Sequence, residues 1–185
     1  MKIKNIKTSN NKQIIIYDDV LSYADRSDFY EFVSRSLFKT RGTDTVYLEH
    51  SSDRSLLSSY SGQDLINSKI LSFPEMKPIL EKVDGYEYIQ IRVNLCTFND
   101  KNHFHTDSSN KNSLTLLYYP NMEWHPEWGG LTMFANDDIS DLEYVSFYKP
   151  GRFILFEGTI PHCISPPTSI APAFRYSFVI QYEKK

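Results

Sequence analysis

Cysteine is scarce: the 185 residues contain two, Cys96 and Cys163. Two thiols make no disulfide framework and fit a reducing compartment, so the expected location is cytoplasmic. Glycine (7) and proline (9) are few and follow no period, which excludes collagen-like and low-complexity chains. Uninterrupted apolar runs are about four residues long, as at 14–17. Neither a signal-peptide core nor a membrane span fits into such runs, and no membrane partner is expected. Neither sign of charge dominates, with 20 Lys and Arg against 23 Asp and Glu and a net charge of −3. The basic residues are scattered, which removes nucleic-acid binding driven by phosphate contacts.

What the chain has in surplus is aromatic side chains, 15% of all residues, as 13 Tyr, 12 Phe and 2 Trp. Aromatics suit pleated, half-buried surfaces and point to β-structure. A chain of this length buries about 70% of its unfolded surface. It needs no metal to hold its core, so a metal site here would serve chemistry.

Apolar spacing predicts a strand over 14–17 and an amphipathic helix over 24–37, with Phe29, Tyr30, Phe32, Val33 and Leu37 at intervals of three to four. Residues 40–62 read as a long polar loop with short strands, and a second helix is expected over 74–83. From Gly85 the period becomes two, with strands expected over 86–98, 103–107, 114–119, 131–134, 145–148, 153–156 and 175–182. Two helices followed by about seven strands indicate one mainly β domain over 1–185. Residues 1–85 would be a helical support region, and 86–182 a sandwich or jelly-roll core. In the last strand Tyr176, Phe178, Ile180 and Tyr182 share one face, expected against the helices; Arg175 and Ser177 share the other. An arginine aimed between sheets needs an anion there.

His105 and Asp107 stand two residues apart, so on an extended chain both project from one face. His162, at the end of the strand expected at 153–156, can supply a third ligand from a neighbouring strand. Two imidazoles and a carboxylate form the facial triad of non-haem Fe(II) oxygenases, which leaves positions open on the metal.

Order and context narrow the reading. His162 follows Asp107 by 55 residues, and Arg175 in an Arg-Tyr-Ser context follows His162 by 13. The stretches HFHTDSS (103–109), SLTLLYYPNMEWHPEWGGLTMF (113–134), KPGRFILFEGTIPHCISPP (149–167) and RYSFVIQY (175–182) resemble the prolyl 4-hydroxylase-like branch of the Fe(II)/2-oxoglutarate-dependent dioxygenases. The resemblance spans roughly residues 86–182 and implies a double-stranded β-helix (jelly roll) with N-terminal helices on its major sheet.

It implies that His105, Asp107 and His162 hold Fe(II), that Arg175 binds the distal carboxylate of 2-oxoglutarate, and that Tyr119 hydrogen-bonds the same group. Ser177 matches the serine of an Arg-x-Ser pair found in some 2-oxoglutarate enzymes. The implied activity couples oxidative decarboxylation of 2-oxoglutarate, with O₂ and possible use of ascorbate as reductant, to C–H hydroxylation. The implied substrate is a prolyl residue of a peptide or protein, or a free amino acid. The Asp107 carboxylate argues against the halogenating variant of the family, where a small residue leaves room for chloride. Two departures are a short 98–105 interval, with Phe98 where some relatives place a tyrosine, and an extended Pro/Ser/Ala loop between His162 and Arg175.

Other readings stand beside this one. His103, His105 and His162 would make a three-histidine zinc site; a cupin-like metalloenzyme would need no oxo acid; and a jelly-roll binding or viral structural module would need no catalysis. Cys163 reads as a buried structural thiol, His50 and His125 as solvated side chains, and Trp124 and Trp128 as packing at the barrel rim, with a substrate platform as the functional alternative. Arg92 and Asn94 face the polar side of their strand, where substrate contact and core pairing are equally open.

Overall fold

The β-branched and aromatic runs become strands that are covered on both sides. The computed structural model describes residues 1–40, 56–100 and 102–184. The strands are β1 (Lys2–Lys7), β2 (Gln13–Asp18), β3 (Lys39–Thr40), β4 (Leu56–Tyr60), β5 (Tyr86–Cys96), β6 (Ser113–Tyr118), β7 (Thr132–Ala135), β8 (Leu142–Ser146), β9 (Phe153–Glu157), β10 (His162–Ile164) and β11 (Arg175–Lys184). Eight form one antiparallel sheet in the order β1-β2-β9-β6-β11-β5-β4-β3, and three form a second in the order β10-β7-β8. This mostly antiparallel, two-sheet architecture is the double-stranded β-helix expected from the sequence.

Two apolar clusters explain why the strand sequences lack a polar face. Ile15 and Tyr17 of β2, Leu116 and Tyr118 of β6, and Phe153 and Leu155 of β9 enter one cluster. Their alternates Ile14, Ile16, Leu117, Tyr119, Ile154 and Phe156 enter the other, with Phe134 of the smaller sheet. Period-two alternation thus divides one hydrophobic run between a helix-side core and an inter-sheet core.

Helix α1 (Tyr23–Ser34) begins at Ser22, whose side chain accepts from Asp25 N–H, and buries Phe29 and Val33. The Phe29 ring lies 4.4 Å from Tyr118 and 5.1 Å from Phe178. Tyr176, Phe178, Ile180 and Tyr182 belong to the same cluster as Phe29, Leu65, Met76 and Ile79. Helix α2 (Gly62–Ser68) starts with a reciprocal Ser61–Asp64 capping box. Among the described residues no helix is long and apolar enough to cross a membrane.

Several expectations need correction. From residue 86 on the described residues hold seven strands, as expected, while β1 to β4 add Lys2–Lys7, Gln13–Asp18, Lys39–Thr40 and Leu56–Tyr60 to the larger sheet, so the support region before residue 85 mixes strand with helix. The helix expected over 24–37 stops at Ser34. That expected over 74–83 breaks into short turns around α3 (Lys77–Leu80), where Pro74 and Pro78 interrupt the amide ladder. Residues 103–107 are irregular, joined to β10 by a single bridge between His105 and His162. Of the expected 40–62 loop, residues 41–55, with His50, lie outside the described residues.

Candidate functional site

Three side chains from two stretches of the chain, residues 105–107 and the start of β10, converge. His105 N–H donates to His162 O at 3.0 Å and His162 N–H to His105 O at 2.9 Å, which locks the two histidines side by side. Their rings lie 4.5 Å apart between centroids. Asp107 N–H bonds Gly158 O at 2.9 Å, fixing the carboxylate beside them. Asp107 Oδ2 is 3.6 Å from His162 Nε2, and Oδ1 is 3.9 Å from His105 Nε2. One ligand atom from each of His105, Asp107 and His162 lies within 4.8 Å of the others.

Both rings are oriented by backbone carbonyls. His105 Nδ1 lies 3.0 Å from His103 O, and His162 Nδ1 lies 3.0 Å from Ile160 O. A ring whose Nδ1–H serves a carbonyl presents Nε2 as an unprotonated lone pair, the form a metal takes. Loss of solvation, reinforced by the neighbouring His162, holds the His105 ring below the ordinary imidazole value.

Asp107 is held by three donors. Thr115 Oγ1 donates to Oδ2 at 2.7 Å, Gln181 Nε2 donates to Oδ1, and Arg92 Nη2 lies 3.3 Å from Oδ1. Burial pushes this carboxyl upward, but His162, Thr115, Arg92 and His105 outweigh it and keep the group below the usual carboxylate range. Sequence reasoning did not single out Thr115 or Gln181 for this role. Each shares strand parity with residues it did single out, Thr115 with Tyr119 and Gln181 with Arg175 and Ser177, and that parity is the signal that finds them.

Arg175 is fully buried. Its Nε donates to Gly130 O at 2.9 Å and Nη2 to Thr132 Oγ1 at 3.2 Å, while Nη1 has no partner among the described residues. Tyr119 donates to the same Thr132 oxygen at 2.8 Å. The Arg175 Cζ lies 5.0 Å from the Tyr148 ring centroid and 5.4 Å from that of Tyr119. Gly130, at φ +73°, lets this packing close: a Cβ there would stand 3.0 Å from Arg175 Cδ and 3.3 Å from Trp124 Cζ2. Asn121 secures the strand on either side of Arg175. Its Nδ2 donates to Phe174 O at 2.9 Å, and its Oδ1 accepts from Tyr176 N–H at 3.0 Å and from Tyr148 at 2.6 Å.

The remaining candidates fall into place around these groups. Ser177 is fully buried, 3.5 Å from Asn94 Nδ2. His103 is exposed and lies outside the ligand cluster, contributing its carbonyl to His105, which removes the three-histidine arrangement. Arg92 pairs with Asp107. Trp124 packs on Trp128 at 5.6 Å and at 4.7 Å on Tyr148, the ring over which Arg175 also lies. Cys163 is buried, and burial raises its thiol pKa; burial pushes the Cys96 thiol up to about 12, which keeps it protonated.

The donor chemistry fits the groups that the sequence resemblance implies. Two imidazoles with Nε2 forward and one carboxylate match an open-sided Fe(II) site. A buried guanidinium with an orphaned Nη1 matches an anion.

Comparison with known proteins agrees with this chemistry. Residues 91–182 match the model of the 2OG-Fe(II) oxygenase superfamily. No curated protein sequence matches. Among solved structures, the chain is similar to a prolyl hydroxylase from Trichoplax adhaerens in complex with a hypoxia inducible factor oxygen degradation domain peptide fragment. The identity is 18%, covering 92% of this chain and 83% of that one, with a TM-score of 0.67. It is similar to a Pseudomonas putida prolyl-4-hydroxylase at 14% identity, covering 93% and 92%, with a TM-score of 0.62. It is also similar to the non-haem α-ketoglutarate-dependent epimerase SnoN of nogalamycin biosynthesis at 12% identity, covering 92% and 77%, with a TM-score of 0.66. The chain belongs to the 2OG-Fe(II) oxygenase superfamily, whose members work with Fe(II), 2-oxoglutarate and O₂.

Proposed function

We propose that this oxygenase hydroxylates a C–H bond of a prolyl residue in a peptide or protein, or of a free amino acid, with His105, Asp107 and His162 as the iron ligands. Arg175 is proposed as the anchor of the 2-oxoglutarate distal carboxylate. The observation that carries this reading is the buried guanidinium whose Nη1 lacks a partner, bonded to Thr132 of β7, the strand that pairs with the β10 strand carrying His162. A buried charge without a counter-charge is costly, so the site is built for an anion.

Iron(II), 2-oxoglutarate and O₂ supply the oxidation: the oxo acid leaves as succinate and CO₂, and the second oxygen atom of O₂ becomes the substrate hydroxyl. This chain's residues hold and orient the reactants. His103 O and Ile160 O keep the imidazole Nε2 atoms turned to the metal. Thr132 Oγ1 accepts from both Arg175 and Tyr119, which uses its two lone pairs. Tyr119 gives its O–H to Thr132 Oγ1, so in place of the direct bond to the carboxylate expected from the sequence it acts on the anion through that hydroxyl. Ser177 lines the same strand face as Arg175 and contributes a further hydroxyl.

The peptide or amino-acid part of the reading is supported by the two similar prolyl hydroxylase structures. Its test is incubation with Fe(II), 2-oxoglutarate, O₂ and ascorbate against a panel of proline peptides and free amino acids. Succinate release coupled to gain of one oxygen atom by a proline-containing substrate is the expected result. Succinate release with no proline compound oxygenated would overturn the proline assignment.

A further inference from the structure

We propose that Arg92 tunes the metal centre: its charge, set on the Asp107 carboxylate, holds down the site's affinity for divalent ion. The proposal rests on the reading of His105, Asp107 and His162 as metal ligands. Arg92 lies on β5 opposite Val179 of β11, with Nη2 3.3 Å from Asp107 Oδ1. The pair is enclosed, with side chains 14% and 4% exposed, so water screens it weakly.

Orientation alone does not require this cation. An ionised carboxylate offers about four acceptor sites. Thr115 takes one on Oδ2, and Gln181 and Arg92 take two on Oδ1, which leaves one for a metal. Thr115 and Gln181 hold one oxygen each and are neutral, so they fix the carboxylate plane without altering its charge. Arg92 adds a positive charge that cancels the single negative charge of the ligand set. A divalent ion therefore enters a site whose negative charge Arg92 offsets.

A unit charge within about 6 Å of a divalent ion changes its affinity about tenfold even at water-like screening, and more in an enclosed site. Removing the cation while leaving Thr115 and Gln181 in place is therefore expected to tighten metal binding. A merely structural role for Arg92 gives the opposite sign.

The test uses metal-free full-length protein and Mn(II), with free Mn(II) read by electron paramagnetic resonance at low ionic strength. Arg92→Gln and Arg92→Met are each expected to bind Mn(II) about tenfold more tightly than the unaltered protein, with the gain shrinking as salt rises. Arg92→Lys, which keeps the charge, is expected within about threefold of the unaltered protein by the same Coulomb argument. Gln181→Leu, which removes a neutral donor, is expected to bind more weakly. Circular dichroism and melting establish that each variant is folded before its affinity is read. If the folded neutral variants bind Mn(II) no more tightly than the unaltered protein, the role given to Arg92 is wrong. If the unaltered protein binds no Mn(II), or His105→Ala binds it equally well, the ligand assignment beneath the proposal fails instead.

Discussion

Replacing Arg175 by Met removes the proposed anion anchor while keeping a long apolar stem, and the structure sets the size of the effect. The guanidinium is wholly buried, with Nε on Gly130 O, Nη2 on Thr132 Oγ1 and Nη1 unpaired. Breaking a buried ion pair from one side costs about 3–5 kcal/mol, or roughly 100- to 4,000-fold in dissociation constant. The ligand-free protein responds differently. Arg175→Met removes the donor to Gly130 O, at about 1 kcal/mol, leaves Thr132 Oγ1 its bond from Tyr119, and relieves a buried charge of comparable or larger cost. The melting temperature without 2-oxoglutarate is therefore expected to move by only a few degrees, at about 2–4 °C per kcal/mol for a chain of this size. Calorimetric titration of 2-oxoglutarate into the anaerobic Mn(II) protein measures the first quantity, and thermal melting the second. In the unaltered protein, ligand at 100 times its dissociation constant adds about 2.7 kcal/mol of stability, and in the variant the same concentration adds almost none. Retention of 2-oxoglutarate affinity within about threefold would refute the anchor reading, since a lost buried ion pair is worth far more. A collapse of the ligand-free melting temperature would show instead that Arg175 is chiefly structural.

Three further outcomes follow from the same geometry. Asn121→Ala removes the bonds to Phe174 O and Tyr176 N–H on either side of Arg175; it is expected to cost about 2–4 kcal/mol of stability and to weaken 2-oxoglutarate at least tenfold, with Mn(II) affinity nearly unchanged. Gly130→Ala places a Cβ 3.0 Å from Arg175 Cδ at φ +73°, and a strain of about 1–3 kcal/mol should appear as weaker 2-oxoglutarate binding in the same titration. His105 has a folded-state pKa below its ordinary value, so the unfolded chain binds the proton more readily. Its contribution to metal-free stability is complete above the ordinary imidazole value and is lost as pH falls below it. The depressed Asp107 carboxyl contributes in the same direction at lower pH, above its ordinary value and lost as pH falls through its folded one. Urea melts of the metal-free protein from pH 8 down to about pH 2 check both signs.

The parts of the site carried by strand parity were legible from residues alone. Arg175 and Ser177 face inward because Tyr176, Phe178, Ile180 and Tyr182 face the helix-side cluster, and the alternation of β11 is regular over that span. The pairing of His105 with Asp107 was read from an assumed strand; the chain there is irregular. A single bridge to His162 and two amides on Gly158 O do what a strand would have done. Asn121 and Thr132 escaped notice because an Asn after a strand and a Thr within one are common, and only the fold reveals that both serve Arg175. The chain segment around 74–83 misled by composition: its apolar spacing is helical, but Pro74 and Pro78 deny it a continuous amide ladder. The strands β1 and β2 carried no long-range signal, since a hairpin that closes on β9 is written in tertiary pairing and not in local period.

The central claim is that one site holds Fe(II) through His105, Asp107 and His162 and chelates 2-oxoglutarate fixed by Arg175. Anaerobic titration of the Fe(II)-loaded protein with 2-oxoglutarate tests it most directly. A visible metal-to-ligand charge-transfer band is expected to grow with the oxo acid, to vanish in Asp107→Ala, and to require far higher 2-oxoglutarate in Arg175→Met. An iron-loaded, folded protein that develops no such band at any 2-oxoglutarate concentration would contradict it.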